Sequence, residues 1–135
     1  MLERLAPLAL ASTLLAPAAF ADSKPYTITV AKVAAKVGQP ATAKVVIKPA
    51  AGYHMNQDYP TSLKLTPVAG VTLPKADFAK ADAALAPEEA SFQVALTSTE
   101  AGTKSVAGNV RFAVCAADNC SPQKDTVTIT VDARK

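Results

Sequence analysis

The fold is decided by residues 105–131, which read SVAGNVRFAVCAADNCSPQKDTVTITV. Apolar residues or glycine occupy every even position in the range 106–114, and a second alternation follows in the range 126–131. A period of two is typical of strands that bury one face. Both cysteines of the chain, Cys115 and Cys120, lie between these runs and are separated by four residues. The stretch therefore predicts two strands joined by a turn that carries both cysteines.

Similar alternation, interrupted by proline and glycine, predicts further strands outside this stretch. They are Tyr26–Val30, Thr42–Lys48, Ser62–Thr66, Val71–Pro74 and Ser91–Thr97. Residues 75–90 are rich in Ala, Lys, Asp and Glu and contain Pro87, so they predict a long, partly ordered loop. About seven short strands without a convincing helix predict an all-β fold, an immunoglobulin-like antiparallel β-sandwich.

The chain has 135 residues, which predicts one folded domain. Residues 1–21 predict a signal peptide, because an apolar stretch from Leu5 to Phe20 is followed by small residues around a cleavage site after Ala21. The mature domain would comprise residues 22–135. We therefore expect a periplasmic or secreted protein with no stable membrane insertion after signal removal.

The formal net charge is +3, and the basic residues are scattered along the sequence without a cluster. This pattern gives no support for nucleic-acid binding. No acid–base pair, nucleophile triad or phosphate-binding loop is visible, which argues against hydrolase or transferase chemistry. We expect a monomer without a cofactor.

The cysteine pair is expected to form a disulfide in an oxidising compartment. Cys115 shares its parity with Arg111 and Ala113, so we expect it to face away from the core, where a partner can reach it. Closing so short a loop stabilises the domain by only about 2 kcal/mol, so the bond contributes little to the stability of the whole fold. From the residues alone, redox exchange and a structural link both remain open.

A metal site is a third alternative. Two thiols together with His54 and Met55 offer soft ligands for Cu(I). Four residues between cysteines, without a nearby second ligand pair, are poor spacing for zinc. His54 is also a candidate neighbour of the cysteines that, when protonated, would tune their pKa. Met55 is more simply a packing residue.

An ordered set of short motifs points to a known family. It consists of Gly52-Tyr53, Leu63–Pro67, Val110–Phe112, the pair Cys115 and Cys120, and Pro122. From about Val46 to Val131, the chain resembles the N-terminal periplasmic domain of the thiol:disulfide interchange protein DsbD.

The resemblance implies an immunoglobulin-like sandwich in which Cys115 and Cys120 are a redox pair. Its partners would be a thioredoxin-like or membrane thiol-transport protein as electron donor and periplasmic disulfide proteins as acceptors. The chain departs from the family in its cysteine spacing, which is usually five. The aromatic cap over the family's sulfurs would be reduced here to Phe78, for which an anchoring role in the loop is the simpler interpretation.

Two main functional interpretations follow. The first is thiol–disulfide exchange or electron transfer through Cys115 and Cys120. The alternative is a non-catalytic exported binding or structural domain with a fixed disulfide, and Cu(I) binding is a weaker third hypothesis.

Overall fold

The computed structural model describes residues 24–135 of the chain. The predicted signal peptide, residues 1–21, lies outside the described residues, so its assignment stays a prediction. In the described part, no helix is long and apolar enough to cross a membrane. A single three-residue 3-10 helix, Lys80–Asp82, is the only helix of that part.

The described residues form eleven strands, several of them very short. In chain order they are β1 (Tyr26–Val30), β2 (Val33–Lys36), β3 (Pro40–Pro49), β4 (His54–Met55), β5 (Ser62–Leu65), β6 (Val71–Thr72), β7 (Asp77–Phe78), β8 (Ala84–Ala86), β9 (Glu89–Ser98), β10 (Gly102–Cys115) and β11 (Cys120–Arg134).

The strands form two sheets. The five-stranded sheet has the order β1-β3-β9-β6, and β8 also pairs with β9. The six-stranded sheet has the order β2-β11-β10-β5-β7, and β4 also pairs with β10. Every pairing is antiparallel except the parallel contact of β2 with β11. The predicted all-β, immunoglobulin-like sandwich is therefore confirmed.

The core lies between the two sheets and follows the predicted alternation. In β10, Val106, Val110 and Phe112 are fully buried, whereas Arg111 is exposed. The ring of Phe112 meets Tyr26 edge to face, with ring centroids 4.7 Å apart, which joins the two sheets at the start of β1. The largest buried side chains include Ile47, Phe92, Leu63, Leu96 and Ile129.

All seven predicted strands exist, although their ends differ from the prediction. The predicted loop at residues 75–90 is wrong in part, because it contains β7, the 3-10 helix and β8 and then begins β9. Strands of two or three residues are too short to display a period, so alternation cannot reveal them.

Gly108 allows β5 to approach β10 closely. It lies opposite Leu65 in the register of the two strands. A Cβ atom at this position would lie 2.8 Å from Leu65 Cδ2 and 3.0 Å from the carbonyl oxygen of Lys64. The glycine therefore removes a clash that any other residue would create.

Candidate functional site

The disulfide joins the two strands of the longest hairpin at its tip. Cys115 is the last residue of β10 and Cys120 is the first residue of β11, and they are directly opposite each other. The two sulfurs are bonded, and the Cα atoms are 3.9 Å apart. Within the turn, the amide of Ala116 donates a hydrogen bond of 2.8 Å to the carbonyl oxygen of Asn119. The bond therefore closes a turn that the backbone already closes.

A third strand flanks the disulfide on the other side of β10. The register pairs Cys115 with His54 and Val114 with Met55. Directly paired side chains point to the same face of a sheet. His54, Cys115 and Cys120 thus form a row across three strands on the outer face, which we call the disulfide row. Met55 lies with Val114 on the core face and is 1% exposed.

The predicted parity of Cys115 agrees with this arrangement, but its predicted accessibility is wrong. Cys115 is only 4% exposed, whereas Cys120 and His54 are exposed. Cys115 lies between His54 and Cys120 in the disulfide row. Alternation along one strand indicates the face of a residue, but not what covers that face.

The chain after β4 covers the same end of the sheet. The amide of Asn56 donates a 2.9 Å hydrogen bond to the carbonyl oxygen of Ala113. The side-chain oxygen Oδ1 of Asn56 accepts bonds from the amides of Asp58, at 2.9 Å, and Tyr59, at 3.2 Å. This turn holds residues 56–59 beside the disulfide. Asn56 was not predicted as a site residue, although asparagine is a common turn former because its side chain bonds the backbone two residues on.

An open depression lies beside the sulfurs. Its volume is about 340 Å³, and it is lined by His54, Met55, Asn56, Gln57, Asp58, Cys115 and Cys120. The fold therefore brings the predicted cysteine pair and His54 together. Both cysteines line the depression, and Cys120 is the more exposed of the two.

Phe78, which the resemblance placed over the sulfurs, packs elsewhere in the fold. Phe78 is 7% exposed and packs edge to face against Phe92, with ring centroids 6.0 Å apart. It belongs to the core, so the hypothesis of a residual aromatic cap is wrong. Tyr53 is 40% exposed. Tyr59 is half-buried and lies beside Arg111 and Pro122.

The residues considered as Cu(I) ligands, namely the two cysteines, His54 and Met55, do not all lie on one face of the sheet. Met55 packs in the core, as the simpler interpretation predicted, and His54 lies on the opposite face of β4. In residues 24–135, no group of three or more His, Cys, Asp and Glu side chains is arranged to hold a metal ion. The structure thus aligns His54, but not Met55, with the two cysteines.

A second polar cluster was not predicted from the sequence. Asp125 accepts hydrogen bonds from Lys24, at 2.9 Å, and from the hydroxyl of Tyr26, at 2.7 Å. The hydrogen bond from Lys24 and, to a smaller extent, the one from Tyr26 hold the pKa of Asp125 below its ordinary value. Burial raises the pKa of Tyr26, and the hydrogen bond that its hydroxyl donates to Asp125 raises it further. The cluster ties β1 to β11, and no sequence signal links residues so far apart.

No family model matches the chain, and no curated protein matches it significantly. AggA, the major subunit of aggregative adherence fimbriae type I from Escherichia coli, is 13% identical with a TM-score of 0.46, and the match covers 82% of this chain and 95% of AggA.

Two further solved structures are similar over most of this chain. The PapD-like domain 7 of human CEP192 is 11% identical with a TM-score of 0.41, and the match covers 95% of this chain and 96% of that domain. The alpha-2-macroglobulin of E. coli is 12% identical with a TM-score of 0.43, covering 82% of this chain and 7% of that protein. Similarities at this level carry no inference about function.

Proposed function

We propose that this protein is an exported, non-catalytic binding or structural domain in which the disulfide is a permanent part of the fold. One observation carries this proposal: Cys115 and Cys120 are directly paired at a hairpin tip, and Cys115 is 4% exposed. A partner's thiolate therefore has little access to Cys115, and attack on the bond would have to begin at the exposed Cys120. Export rests on the N-terminal sequence and on the disulfide itself.

The reduction potential tests the proposal. Structural disulfides of secreted proteins have potentials below about −300 mV. We expect the Cys115–Cys120 bond to lie in that range when the protein is equilibrated with redox buffers and the thiols are counted by alkylation. A potential near those of thioredoxin-like proteins, about −270 mV or higher, would contradict a fixed disulfide.

Thiol–disulfide exchange is the second candidate function. It is favoured by the exposure of Cys120 and by the open depression beside it. In this mechanism, a partner's thiolate attacks one sulfur, the Cys115–Cys120 bond breaks, and the other sulfur leaves as a thiolate. A second thiol of the partner then resolves the mixed disulfide, so two electrons reduce both cysteines and the partner is oxidised.

The resemblance to the DsbD domain implies which partners would take part in thiol–disulfide exchange. A thioredoxin-like or membrane thiol-transport protein would reduce the pair, and periplasmic disulfide proteins would then be reduced by it. Attack at Cys120 is the more accessible route, and Cys115 would be the leaving group.

Trapping of mixed disulfides separates the two candidates. The variant Cys115→Ala leaves an exposed thiol at Cys120, and the matched variant Cys120→Ala leaves a covered thiol at Cys115. Under exchange, the Cys120 thiolate of Cys115→Ala attacks the disulfide of an oxidised thioredoxin-like probe, forms a mixed disulfide and releases the probe's other cysteine as a thiolate, which alkylation blocks; Cys120→Ala captures much less. Under a fixed disulfide, neither variant exceeds the level of a control with both cysteines replaced.

A further inference from the structure

Two basic side chains lie directly opposite each other on the outer face of the six-stranded sheet. Arg111 of β10 is paired with Lys124 of β11 and, on its other side, with Ser62 of β5. Both basic residues are exposed. Lys64 follows Ser62 by two residues in β5, so it lies on the same face of the sheet, and it is also exposed. We call Lys64, Arg111 and Lys124 the cationic patch; the fold assembles it from basic residues that are dispersed in the sequence.

Arg111 and Lys124 have no acidic partner in the register of the sheet. Like charges directly opposite on neighbouring strands are unfavourable. Within residues 24–135, Arg111, Lys124 and Lys64 form no salt bridge, although the register places Asp77 next to Lys64. Five of the ten other basic residues of that part form salt bridges: Lys24, Lys48, Lys75, Lys104 and Arg134. The repulsion between Arg111 and Lys124 would be relieved by a bound anion.

The side chains around the patch form a depression rich in hydrogen-bond donors. It has a volume of about 300 Å³ and is lined by Ser62, Lys64, Asn109, Arg111 and Lys124. The three basic groups only donate hydrogen bonds, and the hydroxyl and amide groups can also donate them. A carboxylate fits such a depression, and a guanidinium can bind it with two parallel bonds.

A less polar surface continues from the patch towards the disulfide. A second depression shares Arg111 and Lys124 with the first and is also lined by Tyr59, Pro122 and Gln123. Cys115 follows Arg111 by four residues along the same strand and face, which corresponds to about 13 Å. An extended segment of six residues spans about 20 Å and would cover both surfaces.

We propose that the cationic patch docks an extended acidic segment of a partner polypeptide. The partner's carboxylates contact Arg111 and Lys124, and its chain continues over Tyr59 and Pro122 towards the disulfide row. Charge complementarity selects the acidic partner, and the length of the combined surface favours a segment over a single small anion. This inference rests on the binding role proposed above and adds the chemistry of the ligand.

Binding of a fluorescein-labelled hexaglutamate peptide to the oxidised protein tests the proposal by fluorescence anisotropy at low ionic strength. The double variant Arg111→Gln/Lys124→Gln loses two exposed charge pairs with the peptide's carboxylates, so we expect its affinity for the peptide to fall about fivefold to tenfold. The control is Lys32→Gln/Lys44→Gln, which changes the net charge equally at exposed positions away from the patch. The control should retain the affinity of the parent protein.

Three results would overturn the docking surface. They are absence of peptide binding, an equal loss of affinity in the control variant, and full displacement of the peptide by inorganic phosphate at matched ionic strength. The last result would identify a site for free oxyanions. None of these results changes the reduction potential, so the proposed docking surface and the proposed fixed disulfide fail independently.

Discussion

Removal of the disulfide by the double variant Cys115→Ala/Cys120→Ala should destabilise the domain moderately. The bond spans a sequence separation of 5 residues. The chain-entropy model gives about 2 kcal/mol for so short a loop. Loss of the sulfur of Cys115, which is 4% exposed, adds packing loss on the order of 1 kcal/mol. The register of β10 with β11 continues as far as Gly102 and Ala133, so we expect the rest of the pairing to persist.

This loss converts into a shift in melting temperature. A folded domain of about 110 residues has an unfolding entropy of roughly 0.23 kcal/mol/K at its midpoint. A loss of about 2–3 kcal/mol therefore lowers Tm by about 9–13 °C. Thermal unfolding followed by circular dichroism measures the shift, and reduced parent protein serves as the control because it should melt close to the variant.

The expected shift can be contradicted in two directions. A decrease in Tm below about 3 °C would show that the disulfide does not stabilise the native state, and the loop-closure argument would fail. A decrease above about 20 °C, or loss of the folded state, would show that the hairpin tip supports far more of the sandwich than its local pairing indicates.

Three further predictions concern other parts of the fold. Gly108→Ala should destabilise the protein by about 1–3 kcal/mol in urea unfolding, because the new methyl group meets Leu65 and the backbone of β5; an unchanged midpoint would contradict the close approach. Asp125→Asn should lower Tm at pH 7, and the difference from the parent should shrink below about pH 4, since a carboxylate with a depressed pKa loses its contribution as pH falls through the folded-state pKa; a difference independent of pH would exclude this linkage. Lys124→Gln should raise Tm by about 1–4 °C at low salt by removing repulsion with Arg111, with no gain near 1 M salt; a lower Tm would mean that the lysine stabilises the free protein.

The sandwich was predictable because its long strands each bury one face. Residues 102–112 and 120–134 keep the alternation that their sequence displays, and the even positions from 106 to 114 are buried as predicted, but Ala113 and Cys115 are buried in addition. The short strands β4, β7 and β8 were not predictable, since pairing with longer neighbours alone defines them. The position of β4 matters most, because it places His54 in the disulfide row.

Local alternation was enough to predict the all-β class, the two strands around the cysteines and the face on which Cys115 lies. These features follow from a local period of two residues, which any single strand displays. Only the tertiary structure decided that Cys115 is covered while Cys120 is exposed, that Phe78 belongs to the core, and that Arg111 faces Lys124. Burial and charge pairing depend on neighbours from other strands, and distant segments become neighbours only through the register of the sheet.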